Sequence, residues 1–301
     1  MKYSEIYRGF ILQLRNIYSS NESMIIADWV FEKIAGLKRA DIIKHPDQEP
    51  DAVVTGQLDD CLSSLLVHKP VQYVLGEAWF FKMKFRVNEQ VLIPRPETEE
   101  LLDWIIDEVR PRQAGLQGLA PDERNGKIKG GGICILDIGT GSGCIALGLK
   151  NKLPLAEIYA CDVSEDALAV ARKNALAQEV TVHFIHCDFL NKEAIHDLPQ
   201  FTIIVSNPPY IPLQDKTTMH PNVLLYEPHL ALFVEDEDLL VFYQSIADFA
   251  KTHLIGMGDI FVEIHEQMGD GVKKIFIQRG FENVELRKDL QGRERMIRVK
   301  V

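Results

Sequence analysis

The stretch Ile135-Leu136-Asp137-Ile138-Gly139-Thr140-Gly141-Ser142-Gly143-Cys144 decides the fold. Its first four residues are mostly apolar, which is typical of a buried strand, and three alternating glycines follow at once. Glycine permits a tight turn and lets the backbone approach a ligand closely. In an open α/β sheet, ligands bind at the carboxyl ends of the strands. The stretch therefore predicts a strand and a turn that leads into a helix, with a ligand site at the turn.

Acidic residues follow the next two predicted strands. Asp162 ends the strand that contains Ile158–Cys161 and lies 23 residues after Gly139. A carboxylate at this position can accept hydrogen bonds from both ribose hydroxyls of a nucleoside. Asp188 follows the third strand, where an acid can bind the adenine amino group, and the ring of Phe189 can pack on the base. Together with the glycine turn, these residues predict a cofactor that contains adenosine.

The spacing of the glycines separates two classes of cofactor. The dinucleotide fingerprint Gly-x-Gly-x-x-Gly would require its third glycine at position 144, where the chain has Cys144. The observed form, Gly139-x-Gly141-x-Gly143, resembles the class I S-adenosylmethionine-dependent methyltransferases. That resemblance implies S-adenosylmethionine as the cofactor.

Strand and helix patterns alternate from residue 133 onward. Such alternation predicts a mostly parallel, doubly wound sheet of the Rossmann-like class I methyltransferase type. The strands are predicted at residues 133–138, 156–161, 180–186, 201–206, 259–264, 281–286 and 295–301.

The segment Asn207-Pro208-Pro209-Tyr210 follows the fourth strand and is the most specific signal in the chain. Two prolines fix two backbone angles and remove two N–H donors, so the segment is stiff and presents carbonyl oxygens. The side-chain oxygen of Asn207 and the backbone oxygen of Pro208 can each accept one hydrogen of a planar NH2 group, on which Tyr210 can pack. This arrangement predicts that a weakly nucleophilic NH2 nitrogen is activated and pointed at a sulfonium methyl group.

Five segments resemble the release-factor glutamine methyltransferases (HemK family) along nearly the whole chain. They are Pro70–Gly76, Leu92–Glu99, the glycine turn, Ser206–Tyr210 and Tyr226–Pro228 with Ala231-Leu232. The resemblance implies methylation of the side-chain amide nitrogen of the glutamine in the Gly-Gly-Gln motif of peptide-chain release factors. It implies cofactor contacts at Gly139, Thr140, Gly141, Ser142, Gly143, Asp162, Phe189 and Asn207, to which Asp188 is added above. Substrate contacts are expected at Asn207, Pro208, Pro209 and Tyr210, of which Asn207, Pro208 and Tyr210 are the predicted catalytic group. Arg95 and Glu97 are expected to support the pocket, whereas Glu227 either braces the loop over the substrate or caps a turn.

The patterning predicts two domains joined by a hairpin. Residues 1–78 read as a helical domain that docks the substrate, with an apolar face that includes Ile26, Trp29, Val30 and Ile34. Residues 79–95 read as the connecting hairpin, with one strand over residues 81–87, a turn at 88–90 and a second strand at 91–93. Residues 96–301 read as the S-adenosylmethionine-dependent methyltransferase domain, interrupted by a surface loop at 111–132.

Composition limits the possible functions and partners. The chain has 46% hydrophobic and 26% charged residues, five cysteines and a net charge of −11. These values indicate a globular enzyme and disfavour a disulfide scaffold, a bound metal or a phosphate-gripping surface. Without a membrane-length apolar run or a signal peptide, we expect a cytoplasmic monomer whose partner is a release factor rather than a nucleic acid or a membrane.

Two alternatives stay open at the level of the sequence. Adenine-N6 DNA methyltransferases share an Asn/Asp-Pro-Pro-Tyr motif for another planar NH2 group, although the acidic charge of the chain counts against a DNA substrate. A protein that binds the cofactor without catalysis is the second alternative. It would leave the Asn207–Tyr210 segment without a use.

Overall fold

The computed structural model describes residues 1–116, 132–236 and 238–301. Two compact units divide the described chain. One contains Met1–Glu77 together with Met219–Glu227, and the other contains Ala78–Thr218 and Pro228–Val301.

The first unit is helical. Its N-terminal part contains α1 (Tyr3–Leu14), α2 (Ser20–Ala35), α3 (Arg39–Lys44), α4 (Ala52–Leu66) and α5 (Val71–Leu75). Two starts are capped by side chains, because Ser19 accepts a hydrogen bond from the backbone of Glu22 and Asp51 accepts one from Val54. The predicted apolar face of α2 is partly wrong, since Trp29 is exposed while Ala27 and Phe31 are fully buried.

A short hairpin begins the second unit. Its strands are β1 (Glu77–Phe80) and β2 (Met83–Arg86), and the turn between them is Phe81-Lys82. The predicted single strand over residues 81–87 is therefore wrong. The predicted turn at 88–90 is present, since the Val91 N–H donates to the Asn88 oxygen at 3.1 Å, but residues 91–93 form no strand after it. The physical reason is the turn conformation: Phe81 and Lys82 have φ of 51° and 62°, which residues with side chains rarely adopt. An alternating pattern does not reveal such a turn.

Among the described residues, seven strands of the second unit form one sheet. They are β3 (Cys134–Ile138), β4 (Glu157–Asp162), β5 (His183–His186), β6 (Phe201–Ser206), β9 (Leu254–Glu263), β10 (Asn283–Lys288) and β11 (Glu294–Lys300). Their order is β5-β4-β3-β6-β9-β11-β10, parallel through β9, with β11 antiparallel to β9 and β10 antiparallel to β11. The predicted Rossmann-like α/β fold with an N-terminal helical domain is confirmed, although several strand boundaries are shifted.

Helices and two short strands complete the second unit. The helices are α6 (Pro96–Leu116), α7 (Cys144–Lys152), α8 (Glu165–Ala177), α9 (Lys192–Ile195), α11 (Val241–His253) and α12 (Gly269–Gln278), and β7 (Ile211–Pro212) pairs with β8 (Phe233–Val234). The remaining helix, α10 (Pro221–Tyr226), lies in the segment that groups with the first unit.

Helix α6 extends beyond its predicted end. The sequence predicted a loop from residue 111, but α6 continues through Pro111 to Leu116. The buried face that includes Leu101, Ile105 and Val109 holds the helix against the core, so the loss of one backbone hydrogen bond at the proline does not end it. Residues 117–131, which carry most of the predicted loop, lie outside the described residues.

The order of the strands places a ligand site. The connections from β3 run to β4 on one side, and the chain then crosses to β6 on the other side of β3. At such a switch point the loops leave the carboxyl ends of neighbouring strands in opposite directions and open a crevice. The loops after β3, β4 and β6 begin with Gly139, Val163 and Asn207. No helix within the described residues is long and apolar enough to cross a membrane.

Candidate functional site

The glycine turn has two glycines that face open space and one that packs against a helix. All three have positive φ, at 72° for Gly139, 55° for Gly141 and 82° for Gly143. A Cβ atom added at Gly139 or Gly141 would have no neighbour within 4 Å. A Cβ atom at Gly143 would lie 3.2 Å from the Cβ atom of Ala171 in α8. The first two glycines therefore form a cradle with room for a ligand, and the third allows close packing of the turn.

Asp162 is held at the edge of this cradle by backbone donors. Its Oδ2 atom accepts a hydrogen bond from the Gly141 N–H at 2.8 Å, and its Oδ1 atom accepts one from the Ser164 N–H at 2.9 Å. Burial raises the pKa of Asp162, and these backbone donors partly oppose the rise. The residue therefore lies at the glycine turn, as a role in ribose binding requires.

The side chains of Thr140 and Ser142 turn into the protein. The Thr140 hydroxyl donates to Oδ2 of Asp137 at 2.6 Å, and Ser142 is 2% exposed. The backbone oxygen of Ser142 accepts a hydrogen bond from Asn174 Nδ2 at 2.9 Å. The backbone of Thr140 is also used within the protein, since its N–H donates to the Cys161 oxygen at 3.0 Å and its oxygen accepts from the Gly143 N–H at 2.8 Å. These two predicted cofactor residues therefore shape the turn, and their contact with a cofactor stays a prediction.

Asp137 is a buried acid that the sequence analysis did not assign to the site. Its Oδ2 atom also accepts from the Ala146 N–H at 3.2 Å, while Oδ1 is buried without a hydrogen-bond partner in the described residues. Burial raises the pKa of Asp137 to about 7, against the effect of the donors Thr140 and Ala146. The available signal was an acid inside an otherwise apolar strand, where burial requires a reason.

The loop after β5 fits its predicted role only in part. Asp188 is exposed, and its Oδ1 atom accepts a hydrogen bond from the Leu190 N–H at 2.9 Å. The ring of Phe189 is 5% exposed and meets the ring of Phe249 at a centroid distance of 5.2 Å. Most of the Phe189 ring is therefore covered by the protein itself, and its expected packing on adenine stays a prediction. Asp188 remains accessible for an amino group.

The Asn207–Tyr210 segment leaves the sheet beside the glycine turn. Ile138 and Ser206 are register partners on β3 and β6, and the Ser206 hydroxyl donates to the Ile138 oxygen at 2.8 Å. The next residue on each strand is the first of its motif, Gly139 on one and Asn207 on the other. The two motifs therefore start at the same level of neighbouring strands.

Two residues that the sequence analysis missed hold this segment. Asn207 Nδ2 lies 3.2 Å from the Thr98 hydroxyl, which lies 2.6 Å from Oε2 of Glu263. The Tyr210 hydroxyl lies 3.1 Å from Oε1 of Glu263. Glu263 ends β9, so its place at the carboxyl edge of the sheet, as with Asp162 on β4, was the available signal.

Electrostatic effects in this group are strong because the group is buried. Burial raises the pKa of Glu263, while hydrogen bonds from Thr98 and Tyr210 and the charge of Arg295 lower it. Burial also raises the pKa of Tyr210, so its phenol keeps its proton near neutral pH and donates it to Glu263. The charge of Arg95 opposes that rise. The predicted supporting residue Glu97 acts on the same group, since its charge raises the pKa of Glu263.

Glu227 was expected either to brace the loop over the substrate or to cap a turn. It is 4% exposed and is the last residue of the segment Met219–Glu227, which groups with the helical unit. Its predicted role as a brace or a turn cap remains a prediction.

The strand order, the glycine cradle with its carboxylate and the stiff segment after β6 define a class I methyltransferase. The comparisons agree with this class. The family model for the methyltransferase small domain matches residues 130–246, and the family model for the PrmC N-terminal domain matches residues 5–76.

Two curated relatives carry the family assignment. The chain is 43% identical to the release factor glutamine methyltransferase of Flavobacterium psychrophilum over 96% of both chains. It is 37% identical to that of Bacteroides thetaiotaomicron, over 94% of this chain and 95% of the relative. A release-factor-specific protein-(glutamine-N5) methyltransferase of Alicyclobacillus acidocaldarius is a solved neighbour, with 28% identity, a TM-score of 0.39 and coverage of 72% of this chain and 98% of the neighbour. The chain belongs to the release factor glutamine methyltransferase family, which confirms the resemblance in the sequence.

The methyl donor of this class is S-adenosylmethionine, and the residues present fit it. Gly139 and Gly141 leave open space where side chains would otherwise stand. Asp162 offers a carboxylate beside that space. Asp137, which has one buried oxygen without a hydrogen-bond partner in the described residues, holds Thr140 of the same turn, so a second acid lies close to a cofactor with positively charged groups.

Proposed function

We propose that the chain transfers a methyl group from S-adenosylmethionine to the side-chain amide nitrogen of the glutamine in the Gly-Gly-Gln motif of release factors. The observation that carries the proposal is the orientation of Asn207. Its Nδ2 atom points to Thr98, and its Oδ1 atom makes no hydrogen bond within the described residues. A free amide oxygen beside the cofactor cradle is the acceptor that a substrate NH2 group needs.

The residues of the Asn207–Tyr210 segment have different roles in this reaction. Asn207 Oδ1 and the Pro208 carbonyl oxygen each accept one hydrogen of the substrate amide, which raises electron density on its nitrogen. Pro208 and Pro209 keep the two acceptors in place, and the Tyr210 ring packs on the planar amide. The bound cofactor supplies an electrophilic methyl group. Orientation of the nitrogen for in-line attack can contribute about 7–11 kcal/mol to lowering the barrier.

The variant Asn207→Ala tests this proposal. We expect the single-turnover rate to fall by about 100-fold or more, which is a far larger loss than that of cofactor affinity, because the acceptor matters most when the nitrogen attacks. The rate is measured with labelled S-adenosylmethionine and intact release factor, with DNA as a second acceptor. Asn283→Ala, at an exposed asparagine of β10, is the matched control. A near-wild-type rate for Asn207→Ala, or label on DNA only, would contradict the proposal.

We further propose that residues 1–78 dock the release factor. The supporting observation is a groove of about 560 Å³ on the helical unit, whose apolar lining includes Leu12, Ile42 and Ile43. All three arginines of residues 1–78, Arg8, Arg15 and Arg39, line it, and no acidic residue does. Residues 1–78 carry eight Lys and Arg against eleven Asp and Glu, so this surface is an exception within an acidic domain. An acidic segment with apolar side chains suits it.

We also propose that residues 79–95 connect the helical domain to the methyltransferase domain. Residues 96–301 then bind the cofactor and perform the methyl transfer. The enzyme acts as a cytoplasmic monomer on a protein, without direct contact to nucleic acid. The net charge of −11 supports the last point, because phosphate binding requires a basic surface.

A further inference from the structure

A buried chain of hydrogen bonds links Asn207 to Glu263 through Thr98. Thr98 is 2% exposed and Glu263 is 1% exposed, so neither exchanges its partners for water. Both carboxylate oxygens of Glu263 are used, Oε2 by Thr98 at 2.6 Å and Oε1 by Tyr210 at 3.1 Å. Two residues of the Asn207–Tyr210 segment thus depend on one carboxylate.

The chemistry of these groups fixes the direction of each hydrogen bond. An ionised carboxylate only accepts, so the single hydroxyl hydrogen of Thr98 points to Glu263. Toward Asn207 the Thr98 oxygen can then only accept. Asn207 must therefore present Nδ2 to Thr98, as observed, and its Oδ1 atom faces the other way. With the opposite direction, Asn207 would present a donor where the substrate amide also has donors.

We propose that Glu263, acting through Thr98, is a positioning residue that sets Asn207 in the acceptor orientation required for an NH2 substrate. Glu263 and Thr98 touch neither substrate nor cofactor in this role. The inference deepens the proposed function and rests on it. It makes Glu263 a determinant of specificity for an amide over a carboxylate, because a reversed Asn207 would favour an acceptor group in the substrate.

The first test uses variants of the full-length protein at position 98. Thr98→Val keeps the shape and removes the hydroxyl, whereas Thr98→Ser keeps the hydroxyl. We expect kcat on release factor to fall about 10- to 100-fold in Thr98→Val, with KM and cofactor affinity within about twofold of wild type, and Thr98→Ser to recover most of the rate. Thr181→Val, at an exposed threonine, is the matched control. Equal impairment of Thr98→Ser and Thr98→Val would overturn the inference, because packing alone would then explain both.

The second test replaces the carboxylate. Glu263→Gln has the same shape but one acceptor for two donors, so the bond to Thr98 or the bond to Tyr210 must reverse or break. We expect a loss of kcat of about tenfold or more with the unfolding temperature and cofactor affinity retained. An unchanged kcat would overturn the inference, as would a fall in cofactor affinity that matches the fall in rate.

A third measurement separates this inference from the proposed function. The side-chain NH2 signal of Asn207 is identified in nitrogen-15 NMR spectra by its absence in Asn207→Ala. We expect its protons to be protected from solvent exchange in wild type and Thr98→Ser and to lose that protection in Thr98→Val. The same exchange rate in all three proteins would overturn the inference. A wild-type enzyme that labels no release factor would refute the proposed function, and the exchange pattern would still decide how Asn207 is held.

Discussion

Three acids at or near the carboxyl edge of the sheet differ in how their buried charge is compensated. Asp162 has backbone donors on both oxygens, Glu263 has side-chain donors on both, and Asp137 has one oxygen without a partner among the residues that the structure describes. Burial raises the pKa of each of them, and the value for Asp137 reaches about 7. An ionised carboxylate that lacks a partner on one oxygen is costly inside a protein, so Asp137 is the acid for which a bound cation has most effect.

The variant Asp162→Ala tests the cradle. We expect cofactor affinity to weaken by roughly 1.5–3 kcal/mol, the usual value for hydrogen bonds to a charged group, since the carboxylate holds Gly141 and is the proposed acceptor for the ribose hydroxyls. Isothermal titration calorimetry measures this change. Asp166→Ala, at an exposed acid in the first turn of α8, is the control. Unchanged affinity in a folded Asp162→Ala protein would remove Asp162 from the site.

The pKa of Asp137 predicts a dependence of stability on pH. An acid whose pKa is raised in the folded state contributes stability that is fully present below its unfolded pKa near 3.8 and is lost as pH rises to about 7. The loss is up to about 4 kcal/mol for a shift of this size. Thermal unfolding without cofactor should therefore show a lower Tm at about pH 8 than at about pH 5, and Asp137→Asn should reduce that difference. An equal difference in both proteins would show that Asp137 is not the source.

Some of these residues could be predicted from the sequence and some could not. Asp162 and Asn207 were found because each follows an apolar strand at a position with a known chemical use. Asp137 was missed because its importance depends on burial. Glu263 was missed because its importance also depends on a partner far away in the chain, Thr98, which lies 165 residues before it. The contact of the Phe189 ring with Phe249 could not be predicted for a related reason, because nothing local in the sequence indicates it.

At the scale of elements, the sheet was easier to predict than the hairpin. Parallel strands buried on both faces are apolar along most of their length, so β3 and β6 stand out from their surroundings. The hairpin turn instead depends on a distant contact, since the Phe81 N–H donates to Oε1 of Glu99 at 2.8 Å. No pattern within residues 77–86 indicates this contact. The sequence analysis therefore did not predict the hairpin turn at Phe81-Lys82.

Two glycine variants in one turn should separate binding from packing. Gly141→Ala places a Cβ atom in the open cradle and forces a positive φ, at a cost of roughly 1–2 kcal/mol, so it should mainly lower cofactor affinity. Gly143→Ala has the same backbone cost and in addition crowds Ala171 at 3.2 Å and Leu147 at 3.3 Å, so it should lower the Tm more. Calorimetry and thermal unfolding measure the two effects. A larger loss of Tm in Gly141→Ala than in Gly143→Ala would contradict this division.

At the scale of the whole molecule, the helical unit is not a continuous stretch of chain. The segment Met219–Glu227 groups with it, and the Tyr226 hydroxyl donates to the Val67 oxygen at 2.8 Å. Asn222 Nδ2 lies 3.4 Å from the Tyr18 hydroxyl. Sequence patterning divides a chain only into consecutive parts, so it could not assign these nine residues to the helical unit. Deletion of residues 1–77 would remove the partners of this segment, and substitutions in the full-length protein are therefore the better test of docking.

The double variant Arg8→Glu/Arg39→Glu tests whether the helical unit docks the release factor. Both side chains are exposed on the groove, and neither forms an ion pair within the described residues, so their reversal should leave the fold intact. If an acidic segment of the release factor binds there, KM for intact release factor should rise about tenfold or more, because attraction becomes repulsion. The kcat/KM for a short Gly-Gly-Gln peptide should stay within about twofold, because the peptide contains only the part that the Asn207–Tyr210 segment holds. Lys192→Glu/Lys251→Glu changes the net charge by the same amount on exposed sites of the other unit and controls for overall repulsion. Equal KM values for the two double variants on intact release factor would refute docking at the groove, because the lost affinity would then follow from net charge alone.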